Sequence, residues 1–285
     1  MELQMEEPPA VARSGAAKPA RPAVPNKPPR TKGKASLWPK EHGAYAILGV
    51  PLAVTWGVVG ISIPGGLMGL AAVAGFFANE PLLVVLGRRG RRAARALPHA
   101  AARGAALFCL AIVAGGLAMY LADATTRVAL MGWVCVASLA WAMHVRLGGR
   151  SLFTQLVGIA ALVFPVLPIV LAAGWDPADA LSYWGAWSVA QASPALAVRN
   201  VIALQKRQPD RRAIRLHDWG LGALLLVACG GTALGWLGWW QVLPMVVAGL
   251  ILRCLQPSPR HLQRIGWTLV AVNCLAGLLM LGTLG

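Results

Sequence analysis

Charge is scarce in this chain, and acidic charge is scarcest of all. Of its 285 residues only 13% are charged, with 10 Asp and Glu against 26 Lys and Arg, while 57% are hydrophobic. A soluble domain ordinarily carries about 25% charged residues. The deficit excludes an ordinary water-facing surface. It deepens beyond residue 36, because the polar N-terminus holds many of the charges. A net charge of +16 suits nucleic acid when it forms a basic face on a soluble fold. Here the basic residues come in clusters between apolar stretches of about 20 residues, the length of a membrane-spanning α-helix. Membrane lipids, and no nucleic acid, are the expected partners.

Paired cysteines are missing as well. Cys109, Cys135, Cys229, Cys254 and Cys274 stand singly in or beside apolar segments, with no C-x-x-C and no Cys/His metal spacing. Neither a zinc site nor a disulfide framework is read from them; each is expected to be a small buried hydrophobe. No glycine run joins a strand to a helix, as a nucleotide loop requires. No metal and no cofactor is expected. No apolar run follows a short basic start within the first 30 residues, so a signal peptide is not read either.

What is present divides into two parts. Residues 1–36 are rich in Pro, Lys and Arg and have no apolar period. Such a segment buries too little surface to offset its ordering entropy, so a disordered cytoplasmic tail is expected. Its Lys27–Lys34 cluster suits anionic head groups. Residues 37–285 are expected to be a transmembrane helical domain. Nine apolar segments follow one another at about 42–62, 65–86, 104–122, 128–145, 151–173, 182–204, 219–238, 240–256 and 265–284. Gly238-Trp239-Trp240-Gln241 divides the seventh from the eighth, and Trp239 and Trp240 suit a membrane interface. Phe164-Pro165 and Pro168 should bend the fifth segment. Small-residue patches at Gly65-Gly66-x-x-Gly69, Gly115-Gly116 and Gly230-Gly231 should let helices approach closely.

Of the 26 Lys and Arg residues, only Arg127 falls outside one alternate set of connections. Basic connections stay in the cytoplasm. The expectation is an all-α polytopic bundle of about nine transmembrane helices in the bacterial cytoplasmic membrane, N-terminus cytoplasmic and C-terminus outside. An eight-span alternative would place Arg260 and Arg264 outside.

With that topology, the polar residues inside spans fall at one level. Lys40, Glu41 and His42 enter the first segment from the cytoplasm. Asn79 and Glu80 close the second, His144 the fourth, and Arg199 and Asn200 the sixth; Gln155 lies one turn into the fifth. At 1.5 Å rise per residue, all lie within about 10 Å of the cytoplasmic boundary. Polar groups within spans are costly and usually face a partner or a cavity. Lys40, Glu41, His42, Asn79, Glu80, Gln155, Arg199 and Asn200 are therefore the candidate ligand-binding residues, and Glu80 with Arg199 is the expected ion pair. Few carboxylates among many cations suits an anionic small molecule or lipid head group and does not suit a metal cluster. Gln191 and Asn273 either line the same cavity or bond helix to helix.

The run Trp38-Pro39-Lys40-Glu41-His42-Gly43-Ala44 resembles the signature of the YwiC-like family of bacterial membrane proteins, and Ala78-Asn79-Glu80-Pro81-Leu82 is similar to that family's pattern at the end of its second span. The likeness extends over about residues 36–285 and implies a class, not a reaction. The architecture is also similar to that of UbiA-type intramembrane prenyltransferases, which bind a Mg²⁺-diphosphate at Asp-rich motifs in the loops after their second and sixth spans. Here those loops offer Asn79-Glu80 and the lone Asp210, too few oxygen ligands for that chemistry; direct Arg binding of phosphate remains compatible. The expected function is binding of an anionic amphiphile in a cytoplasm-facing cavity. A transferase version would use Arg199 on phosphate and Glu80 or His42 as proton acceptor. A transporter, or a non-catalytic assembly protein, are the alternatives.

Overall fold

The computed structural model describes residues 37, 42–147, 151–205, 210–258 and 261–285, with the backbone alone of His42 and Leu262. The tail whose disorder the composition predicts, together with Lys40 and Glu41, lies outside the described residues. Every regular element among the described residues is helical: α1 (His42–Val59), α2 (Ile63–Val85), α3 (Arg91–Ala96), α4 (Ala100–Leu121), α5 (Ala124–Leu147), α6 (Leu152–Val163), α7 (Val166–Ala172), α8 (Pro177–Leu204), α9 (Arg211–Ala233), α10 (Trp239–Leu255) and α11 (Leu262–Leu284). Each expected apolar segment is helical, the fifth being split at Phe164-Pro165 into α6 and α7. Among the described residues six stretches are long and apolar enough to cross a membrane: α2, α4, α5, α6 with α7, α9, and Gln263–Leu284 of α11. α1 and α10 are shorter, and α8 carries polar residues along its length.

Short polar residues start the helices where the apolar runs do not. The Ser62 hydroxyl accepts from the Gly65 N–H at 3.1 Å, Ser151 from Thr154 at 3.0 Å, and Asp176 from Ala178 at 2.8 Å. Asp210 caps α9 by accepting from Arg212 and Ala213 at 2.9 and 3.3 Å. Each satisfies an amide that the first helical turn leaves without a partner. Between α4 and α5, Asp123 accepts from the Thr126 N–H at 3.0 Å. Arg127 then reaches back to the Met119 and Tyr120 carbonyls at 3.0 and 3.2 Å. The one basic residue away from the basic connections is thus used locally, as a clasp on the free carbonyls ending α4.

α8 lies at the centre. Tyr183, Ala186, Trp187 and Ala190 are fully buried and pack with Val163, Val170, Val242, Val246, Ala276 and Met280. A helix covered on all sides can carry polar groups if each finds a partner, and α8 bonds a different neighbour at each level. Tyr183 Oη and the Thr55 hydroxyl of α1 are 3.2 Å apart. Gln191 Nε2 donates to Asn273 Oδ1 of α11 at 2.8 Å, and Asn273 Nδ2 donates to the Ala46 carbonyl of α1 at 3.1 Å. Of the two readings of Gln191 and Asn273, the helix-to-helix bond is the one formed.

α4 and α5 are peripheral and turn Phe108, Ile112, Val113, Val128 and Val134 outward. All five cysteines are free and exposed, which corrects their expected burial. Apolarity marks a spanning helix on every side, so it does not distinguish a face toward protein from one toward acyl chains.

The glycine patches divide in the same way. A Cβ on Gly69 would collide with the Trp56 ring and one on Gly231 with the Trp239 ring, whereas Gly116 and Gly230 face open space. Trp239 is itself 4% exposed, with its indole N–H donating to Ser182 Oγ at 3.0 Å. It belongs to the core, against the sequence expectation; Trp240, 46% exposed, is the residue at the surface.

Candidate functional site

Two bonds tie connections that are distant in sequence. Gln205 Nε2 donates to the Pro257 carbonyl at 2.9 Å, joining the α8–α9 and α10–α11 connections. Ser182 Oγ donates to the Leu237 carbonyl at 3.0 Å, joining the start of α8 to the α9–α10 turn. The connections that follow α8 and α10, both rich in Lys and Arg, therefore share one end of the bundle.

The expected Glu80–Arg199 pair is not formed. Glu80, 6% exposed, takes both of its bonds from Arg89: the guanidinium Nε donates to Oε2 at 3.0 Å and Nη2 bonds Oε1. Arg89 stands just past the C-terminus of α2, and the turn there swings it back beneath its own helix. Arg199 Nε donates to Gln155 Oε1, linking α8 to α6. The sequence gives the depth of a side chain but not the direction it takes around the helix axis. Asn79 is half-buried beside Glu80, and His144 is half-buried in the last turn of α5. Lys40 and Glu41, and the side chain of His42, lie outside the described residues.

A cluster the sequence reading missed lies beside Arg199. Asp218 of α9 accepts from Arg253 of α10, Nε to Oδ1 at 2.5 Å and Nη2 to Oδ2 at 2.9 Å. It also accepts from Asn200 Nδ2 of α8. One carboxylate therefore bonds three helices. Asn200 is fully buried, its Oδ1 has no hydrogen-bond partner among the described residues, and His217 is 5% exposed next to Asp218 in the chain. Asp218 escaped notice because the apolar run begins at Trp219. Taken as a helix cap, Asp210 would have started α9 eight residues earlier, placing Asp218 two turns inside.

The polar layer is thus three separate locks: Glu80–Arg89, Gln155–Arg199, and Asn200–Asp218–Arg253. Both described carboxylates of the layer have both oxygens engaged by a guanidinium. Among the described residues no three His, Cys, Asp or Glu side chains gather as metal ligands would. Two cavities lie elsewhere. One of about 390 Å³ is lined by Arg211, Ile214 and Arg215. The other, of about 180 Å³, lies between Trp236, Trp240, Gln241 and Thr283.

Midway along the bundle, Asn273→Ala would leave the Gln191 amide unbonded. It is expected to cost about 1 kcal/mol of stability, seen as a lower Tm in detergent. Cys274→Ala, on an exposed neighbour, should leave Tm unchanged.

Six spanning-length apolar stretches among the described residues, with the polar-studded α8 buried in the core, define a multi-pass helical membrane protein. Two of its basic connections, after α8 and after α10, share one end. The family model described as YwiC-like protein matches residues 38–170, so the chain from the Trp38 signature into α7 carries that family's pattern. Asn79, Glu80 and Gln155 fall inside that stretch; Arg199, Asn200, Asp218 and Arg253 lie beyond it. No curated protein and no solved structure matches the chain.

Proposed function

We propose that the chain crosses the bacterial cytoplasmic membrane nine times, N-terminus inside and C-terminus outside, and binds an anionic amphiphile or lipid head group at its basic, cytoplasmic end. α1 and α10, with 18 and 17 residues, extend about 27 and 26 Å, near the ~30 Å hydrocarbon thickness. The polar groups of α8 are shielded by its neighbours, so with α1 and α10 it brings the six to nine.

One observation carries the binding reading. The described carboxylates at the basic end are already engaged: Glu80 by Arg89, Asp218 by Arg253 and Asn200, and Asp210 as the cap of α9. Arg88, Arg91, Arg92, Arg95, Arg211, Arg212 and Arg215 are exposed there, an excess of cation that attracts an anion from outside the protein. The same engagement disfavours the transferase version that takes Glu80, rather than His42, as proton acceptor. The transporter alternative gains buried polar groups in the other half, Thr55 and Gln241. They bond different neighbours and form no common path, so binding is the better reading.

Native mass spectrometry of the purified protein from mild detergent tests the proposal: retained anionic lipid is expected, and a ligand-free preparation would refute it. Sidedness is checked in a cysteine-free background in intact cells. Cysteine placed at Pro177 should react with an impermeant thiol reagent, and cysteine at Gly90 or Gln208 should be protected.

A further inference from the structure

α9 presents a graded face that the bundle does not cover. Arg211, Arg215, Trp219, Ala223 and Leu226 are all exposed, and their spacing keeps them on one side of the helix. Trp219 and Leu226 are 78% and 75% exposed. At 1.5 Å per residue, Trp219 lies about 6 Å below Arg215, and Leu226 about 16 Å below it. The order from the basic end inward is guanidinium, guanidinium, indole, aliphatic. A phospholipid presents phosphate, glycerol and acyl chain in the same order, and indole favours the intermediate depth.

An open hollow of about 390 Å³ lies where the phosphate would fall, and its described lining is Arg211, Ile214 and Arg215. Among the described residues neither guanidinium has a carboxylate within ion-pair distance, the two pairs formed being Arg89–Glu80 and Arg253–Asp218. Of the nearest acids in the chain, Asp210 accepts from the Arg212 and Ala213 amides and Asp218 from Arg253 and Asn200. Arginine pairs offer the fork geometry that phosphate oxygens accept.

We propose that this face of α9 is a binding site for one anionic phospholipid, with its phosphate in the Arg211–Arg215 cavity, its glycerol at Trp219 and an acyl chain along Ala223 and Leu226. The assignment deepens the head-group reading above and rests on it for the side of the membrane.

The test uses the full chain in mild detergent, titrated with phosphatidylglycerol or phosphatidylcholine and followed by native mass spectrometry. The parent is expected to hold one phosphatidylglycerol more tightly than any further copy, and more tightly than phosphatidylcholine. R211Q/R215Q should weaken that adduct by about tenfold or more, two surface cations each contributing near 1 kcal/mol. The charge-matched R146Q/R264Q, at exposed positions on α5 and α11, should weaken it by no more than about twofold. Inorganic phosphate should not displace the lipid, since it makes no contact with Trp219 or Leu226. Equal loss in both double variants, or displacement by phosphate alone, would overturn the α9 site. Phosphatidylglycerol held by the parent and untouched in R211Q/R215Q defeats the α9 site alone. A parent that holds none defeats the wider head-group reading with it.

Discussion

Gly249→Leu is expected to abolish most of the folded yield. Gly249 stands where α10 crosses α8, and a Cβ built there would lie 2.5 Å from Ser193 Oγ and 3.2 Å from the Ser193 carbonyl carbon. The hydroxyl can rotate away, but the backbone carbonyl cannot. A leucine would force the two central helices apart along a contact that also holds Met245 and Val246, 2% and 0% exposed. Overpacking of a core costs about 1–3 kcal/mol, and a displaced helix pair belongs at the upper end. Gly230→Leu is the matched control: nothing lies within 4 Å of its Cβ position, so monodispersity and Tm should hold. A monodisperse, parent-like Gly249→Leu protein would refute the α8–α10 crossing.

Asp218→Ala is expected to be the next most damaging change. It removes the one acceptor shared by Asn200 of α8 and Arg253 of α10. Breaking a fully buried ion pair costs about 3–5 kcal/mol. Here the side chains of Arg253 and Asp218 are 27% and 37% exposed, and screening by solvent lowers the expectation to about 2 kcal/mol. The diagnostic is the double variant. D218A/R253M removes the stranded cation along with its partner and should recover part of the lost Tm. If it melts below Asp218→Ala, Arg253 has a role beyond neutralising that carboxylate.

How much of this was legible in the sequence depended on the kind of question. Helix positions were, because an unbroken run of some 20 apolar residues favours one long helix. The divided fifth segment was announced by Pro165 and Pro168. Position along the helix was legible too: Glu80, Gln155, Arg199 and Asn200 do lie near helix ends. Azimuth was not. Spanning helices are apolar on every side, so no hydrophobic stripe said which way Arg199 points, and its bond to Gln155 replaced the expected one to Glu80. The exposed cysteines and the buried Trp239 follow from the same ambiguity. Asp218 was missed for a different reason. The apolar run, which begins at Trp219, was taken as the helix start, when the cap at Asp210 marked it.

The pairing of α1 with α11 has a consequence for how the protein is made. A Cβ on Gly277 would strike Val54 at 2.6 Å, and Asn273 bonds the Ala46 carbonyl, so α1 completes its contacts on a helix made much later. Some 200 residues of translation separate them, about 10–40 s at cellular elongation rates. Throughout that interval the nascent α1 must be held in the bilayer by lipid or by the insertion machinery.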